Sequence, residues 1–180
     1  MPDAHRAPKI MLIRHSEKPS GEDVGVTRAG AENAKSLSVR GWQRAGAFVP
    51  YFTSAEQHGI IAKPQFLFAS HSSSLRPHYT LVPLAEKLAI AVNLEYGKGD
   101  EDLLIRAASA LDGVVLICWQ HDFMSKVANV ILADAQTAPQ SWPSERFDMT
   151  WVFDLDPSSA RYGFVQVPQQ LLARDSSQVI

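Results

Sequence analysis

The sequence predicts an α/β protein with a mostly parallel sheet, and three observations predict it. Short apolar runs alternate with helical patterns along the 180 residues, and that order implies parallel pairing through right-handed crossovers. The strongest runs, Ile10–Ile13, Phe66–Ser70 and Val114–Trp119, are nearly unbroken, as strands covered on both faces are. Each run then gives way to a basic or imidazole side chain: Arg14 with His15, Arg76 after a short loop, and His121. Ligands of open α/β sheets bind at the carboxyl edge of the strands, which is where those side chains fall.

Composition bounds the reading. Hydrophobic residues make up 46% and charged residues 20%, the balance of a globular protein with a real core. The chain reads as one unit over 1–180, with loose ends at about 1–8 and 171–180. A formal net charge of -2 gives no global field for nucleic acid or an anionic membrane. No apolar signal core or membrane-length run is present, which leads to the expectation of a cytoplasmic protein. The single cysteine, Cys118, lies in the apolar run GVVLICW and reads as a buried inert thiol. Nothing in the sequence fixes an oligomeric state.

In chain order, the first strand covers about Lys9 to Ile13. Residues 16–36 are polar, contain Pro19 and three glycines, and read as a long loop of the functional kind. Ser38 reads as the N-cap of a helix carrying Trp42, Ala45, Phe48, Val49 and Phe52 inward, with Pro50 kinking it or ending its first part. After the strand at Phe66–Ser70, Arg76-Pro77 suits a helix start, and that helix runs to about Leu88. A short strand near Ala91–Leu94 leads into the turn GKGDED. Asp100 or its neighbour caps a helix over Leu103–Leu111. Beyond Val114–Trp119, a helix buries Met124, Val127, Ala128, Ile131 and Leu132. A loop at 133–145 precedes an antiparallel hairpin formed by Thr150–Leu155 and Tyr162–Val167.

Two guanidinium groups and two imidazoles make a pocket for a compact anion, since arginine forks match phosphate oxygens. A neutral imidazole can attack phosphorus, and phosphoryl transfer needs charge stabilised on the equatorial oxygens. Arg14, Arg76 and His121 can supply that stabilisation and His15 the nucleophile. No metal-ligand spacing is present; His71 and His78 flank Arg76 without a carboxylate or thiol pattern.

Four pieces in order, IRHSEK, LSVRGWQRA, SHSSSLRPHYTLVPLAEKL and ICWQHD, resemble the histidine phosphatase superfamily, the phosphoglycerate-mutase-like fold. The resemblance covers about Lys9 to Leu132. It implies a three-layer α/β/α sandwich, a phosphorylated His15, phosphoryl binding by Arg14, Arg76 and His121, and neither metal nor cofactor. The residue after His15 is Ser16, a small side chain where the family motif has glycine, and it counts among the binding residues. By that resemblance the general acid is Asp122, directly after His121, as in one branch of the family, or Glu95 or the nearby Asp100 and Glu101, as in another. As a bare sequence feature, Asp122 also reads as a helix cap and Glu95 as an edge-strand residue. The expected activity is a metal-independent phosphatase on a small phosphomonoester or a phosphohistidine protein. A non-catalytic phospho-ligand binder and a small-metabolite phosphotransferase are the alternatives.

Overall fold

A computed structural model describes residues 7–54 and 59–180. In order the elements are β1 (Lys9–Arg14), β2 (Gly25–Val26), β3 (Leu37–Ser38), α1 (Val39–Thr53), β4 (Phe66–Ala69), α2 (Arg76–Leu88), β5 (Val92–Asn93), α3 (Glu101–Ser109), β6 (Val114–Trp119), a 3₁₀ turn (His121–Phe123), α4 (Met124–Leu132), β7 (Met149–Asp156) and β8 (Arg161–Pro168). The main sheet has six strands in the order β5-β4-β6-β1-β7-β8. β1 pairs in parallel with β6 and β6 with β4, while β7 runs antiparallel to both β1 and β8.

The apolar runs fold as strands because both faces are covered. Ile10 and Leu12 of β1 point with Val115, Ile117 and Trp119 of β6 into a core built on α3 and α4. Met11 and Ile13 point with Leu116 and Cys118 into the opposite core, on α1 and α2. This is the expected three-layer α/β/α sandwich with a mostly parallel sheet. Ile10 to Ile13 are fully buried, so cutting any of them to alanine is expected to cost about 2–5 kcal/mol.

Local chemistry sets the helix boundaries. Ser38 caps α1, its hydroxyl accepting from the Gly41 N–H. Pro50 does not end the helix, which continues to Thr53; in the last turn an exposed proline removes one hydrogen bond and no packing. α1 buries Arg44 and Tyr51, while Trp42 and Val49 are only half-buried. α3 begins at Glu101, two residues before the expected Leu103. Asp100 holds the N-cap position, but its carboxylate turns back to the Gly97 N–H. The loop at 16–36 contributes β2 to a small hairpin with β3.

The expectation of a loose tail from 171 is overturned. The side chain of Asp175 is only 3% exposed, accepts from the backbone N–H groups of Leu171 and Leu172, and binds the buried Arg44. Ser176 N–H donates to Asp148, and the backbone of Ile180 bonds both ends of the Gln166 amide. At the other end Ala7 is fully buried and its N–H donates to the Ser109 carbonyl; residues 1–6 lie outside the described residues.

Candidate active site

β1, β4 and β6 all run toward one sheet edge, and their carboxyl ends open into a cleft of about 330 Å³. Arg14, His15, Lys18, Arg76, Lys98, His121 and Asp122 line it, together with Ser72–Ser74 and Gln120. Arg14 ends β1 opposite Trp119, and the His15 N–H donates to the Trp119 carbonyl, so the sheet fixes the backbone as far as the His15 nitrogen.

Arg14 is fully buried, yet it has no carboxylate partner among the described residues. Its Nη1 donates to the carbonyls of Ser144 (2.7 Å) and Arg146 (2.8 Å), and its Cζ stands 3.8 Å from the centre of the Phe147 ring. Nε and Nη2 have no partner among the described residues. Those two nitrogens form the guanidinium edge that accommodates two oxygens of a phosphate. Burial lowers the pKa to about 10, with Glu17, Glu145 and Asp122 opposing the shift; Arg14 remains a cation at neutral pH.

Buried side-chain polar atoms without a partner cost free energy, and here they cluster. Among the described residues they belong to Arg14, Ser16, Ser70, Trp119 and Gln120, all at the carboxyl ends of β1, β4 and β6.

His15 is 5% exposed. Its Nδ1 lies 2.8 Å from the Ser16 carbonyl oxygen, which can only accept, so Nδ1 carries the hydrogen and Nε2 the lone pair. Burial first, then the charges of Arg14 and Arg76, pull its pKa to about 3 against the Ser16 hydrogen bond. His15 is therefore neutral at physiological pH. The Ser16 N–H donates to Thr80 Oγ1 on α2, while the Ser16 hydroxyl is one of the unpartnered groups. Ser16 lies beneath the cleft rather than among its lining residues.

Arg76 opens α2. Its Nε and Nη2 donate to the carbonyls of Ser36 (3.2 Å) and Ala34 (3.0 Å), so that edge is engaged by backbone, unlike the free edge of Arg14. Burial lowers its pKa. His121 is half-buried at the start of the 3₁₀ turn, and burial followed by the Arg14 charge lowers its pKa as well.

Two of the carboxylates named as acids part company. Asp122 lines the cleft, exposed, with Oδ2 2.7 Å from Lys98 Nζ. Burial pushes its pKa up, but the Lys98 hydrogen bond and charge outweigh this and hold the carboxyl below the usual range. It makes no helix cap, because the 3₁₀ turn intervenes and α4 starts at Met124. Glu95 is exposed beyond β5 and is not a lining residue; the chain turns there through the Asn93 side chain, which accepts from the Glu95 N–H. His71 and His78 also stay outside.

Lys98, Ser72–Ser74, Gln120 and Phe147 were not singled out from sequence as site residues. The signal for Lys98 was a lone cation between two glycines in an otherwise acidic turn. Glu17, two residues after His15, is buried against Arg44, 2.7 Å from its Nη2.

Neither a protein-family model nor a curated protein sequence matches this chain. Solved structures do. A protein assigned as the phosphohistidine phosphatase SixA from Agrobacterium tumefaciens aligns with a TM-score of 0.53 at 14% identity, over 88% of this chain and 94% of its own. A phosphoserine phosphatase variant from Entamoeba histolytica, in complex with phosphoserine, gives 0.55 at 12% identity, over 91% and 98%. The chain has the phosphoglycerate-mutase-like fold. A mycobacterial glucosyl-3-phosphoglycerate phosphatase aligns with 0.51 at 13% identity, over 91% and 98%. The sequence resemblance and the three-dimensional likeness thus agree on the phosphoglycerate-mutase-like sheet, whose carboxyl edge carries the cleft described above.

Proposed function

We propose that the protein is a phosphomonoester hydrolase that carries the phosphoryl group on His15. The observation that supports this best is the pairing of a neutral, tautomer-fixed imidazole with the unpartnered Nε–Nη2 edge of Arg14. In the proposed first step the Nε2 lone pair attacks phosphorus, the P–O bond to the leaving group breaks, and Arg14, Arg76 and His121 stabilise the equatorial oxygens. Water then attacks phosphorus, the N–P bond breaks, and a water proton returns to the Asp122 carboxylate, leaving a neutral His15 and inorganic phosphate. Protonation of the leaving oxygen falls to Asp122, the carboxyl that lines the cleft. The names of the structural neighbours, which include phosphatases of phosphoserine and of phosphohistidine, fit this reading.

The Asp122–Lys98 ion pair favours one refinement. A carboxyl held below its usual pKa seldom carries a proton at neutral pH, which suits substrates whose leaving group needs little protonation, such as an aryl phosphate or a phosphohistidine.

The test is rapid quenching with labelled substrate. An acid-labile, base-stable phosphoprotein that disappears in His15→Ala is the expected result. Label on serine or aspartate would move the nucleophile elsewhere. Tight phosphate binding without turnover would make the protein a phospho-ligand binder, and release of label only to an added alcohol would make it a phosphotransferase. Asp122→Asn is expected to lose far more activity on alkyl than on aryl phosphates; an equal loss on both would remove Asp122 from the acid role.

A further inference from the structure

The most densely bonded buried charge in the described residues lies outside the cleft, and the mechanism does not use it. Arg44, on the inner face of α1, is almost completely buried. Its Nε and Nη2 reach Glu17 (3.0 and 2.7 Å), its Nη1 and Nη2 reach Asp175 (3.0 and 2.7 Å), and Nη1 also reaches the Gln169 side-chain oxygen (2.9 Å). Glu17 follows His15 by two residues. Asp175 belongs to the segment after β8, where the Arg40 guanidinium also grips the Ala173 carbonyl.

We propose that residues 171–176 form a strap that sets the nucleophile loop, with Asp175 as a positioning residue acting on His15 through Arg44 and Glu17. The loop has few other supports. Ser16 hangs from Thr80 by one hydrogen bond, and the Glu17 carbonyl accepts from the Ser38 backbone and hydroxyl. The Glu17 side chain is the remaining anchor: Arg44 fixes it from the buried side, and the partly exposed Arg40 adds a longer contact at 3.2 Å while lying 3.4 Å from Asp175. Arg44 is in turn oriented by Asp175, whose Oδ2 is itself held by the N–H groups of Leu171 and Leu172. A guanidinium bridging two carboxylates transmits position because both contacts are charge-assisted and planar. Removing Asp175 lets Arg44 re-centre on Glu17, and the loop that sets the Nδ1 contact of His15 moves with it. Displacement of an attacking atom by about 1 Å can lower a rate by about 100-fold.

The inference rests on the phosphatase reading, and the experiment separates the two. In Asp175→Asn, kcat on an aryl phosphate is expected to fall by about 100-fold with KM near the wild-type value. Histidine-selective NMR is expected to show the His15 titration midpoint rising toward the ordinary imidazole value as the loop loosens and hydrates. Because one buried charge left unpaired can unfold a protein, a second variant is included: Glu17→Leu with Arg44→Met and Asp175→Leu, which removes the buried charges together and leaves only Arg40, which is partly exposed to solvent, without its carboxylate partners. It is expected to melt cooperatively while keeping the slow kcat and the raised His15 titration. Wild-type kcat and an unmoved His15 titration in either folded variant would overturn the strap, as would a fall in kcat with His15 unmoved. Absence of turnover in the wild-type chain would end the phosphatase reading, whereas the His15 titration reports on the strap in either case.

Discussion

Two buried arginines serve opposite purposes. Arg44 is saturated: two carboxylates and an amide use its donors, and although burial alone would lower its pKa, the Asp175 and Glu17 hydrogen bonds raise it well above the ordinary value. Arg14, equally buried, meets among the described residues only backbone carbonyls and an aromatic face, keeps two nitrogens unpartnered there, and has its pKa lowered to about 10. The same side chain at the same depth is a keystone in one place and a waiting receptor in the other. What differs is the company of carboxylates. A protein that buries a guanidinium without an anion has left the anion to come from outside.

The largest effect that checks this contrast is on stability. Arg44→Met takes the buried guanidinium away from Glu17 and Asp175 and leaves them only the longer contacts of the partly exposed Arg40, and urea denaturation is expected to show a loss of about 3–5 kcal/mol. Arg14→Met strands no charge and is expected to cost far less, while turnover disappears. Similar losses in the two variants would erase the distinction. Next in size is stabilisation by ligand. Inorganic phosphate at about 100 times its Kd adds about 2.7 kcal/mol to a protein that binds it only when folded. The melting temperature should rise accordingly in the wild type and stay fixed in Arg14→Met; a rise in both would place the anion elsewhere.

A smaller effect is expected at Arg76, whose Nε–Nη2 edge is already spent on Ser36 and Ala34. Arg76→Lys loses this fixed orientation, and kcat/KM should report about 1.5–3 kcal/mol of transition-state binding. Wild-type kcat/KM would take Arg76 out of the phosphoryl contacts. The smallest effect at mild pH comes from His15. Its pKa is lowered from 6.5 to about 3 in the folded state. Above 6.5 the ring is neutral whether folded or not, and it contributes nothing to pH dependence. As the pH falls from 6.5 toward 3, the unfolded chain takes up a proton that the folded one refuses, so stability declines. His15→Phe should flatten that part of the stability profile; an unchanged slope would mean that the ring is solvated.

Much of this was legible in the sequence. The runs at Ile10, Phe66 and Val114 announce a buried sheet because they lack alternation, and the polar residues that end them mark its edge. The cleft residues Arg14, His15, Arg76, His121 and Asp122 follow directly from those strand ends. What sequence did not show has a common cause: it depends on pairs far apart in the chain. Arg44 lies on the apolar stripe of α1, where a cation looks misplaced until Asp175 arrives from beyond β8, 131 residues later. For the same reason 171–180 read as loose, being polar with no periodicity of its own. Lys98 reaches Asp122 from a turn after a two-residue strand, too short for any pattern to locate it. Glu95 had the right chemistry on the wrong side of that turn.

Gly41 carries a consequence for how this chain tolerates variation. A Cβ built there would collide with the Glu17 carbonyl oxygen and press on the Leu37 side chain and the Glu17 nitrogen. The obstacle is backbone, which cannot swing aside as a long side chain can. In a saturation-mutagenesis library selected for activity, codon 41 should therefore be as depleted as codon 15, although position 41 touches no substrate. Gly46, one and a half turns further along the same helix with open space around its Cα, should accept most residues. A depletion map read without the structure would enrol Gly41 among the groups that do chemistry, when its contribution is only the room it leaves.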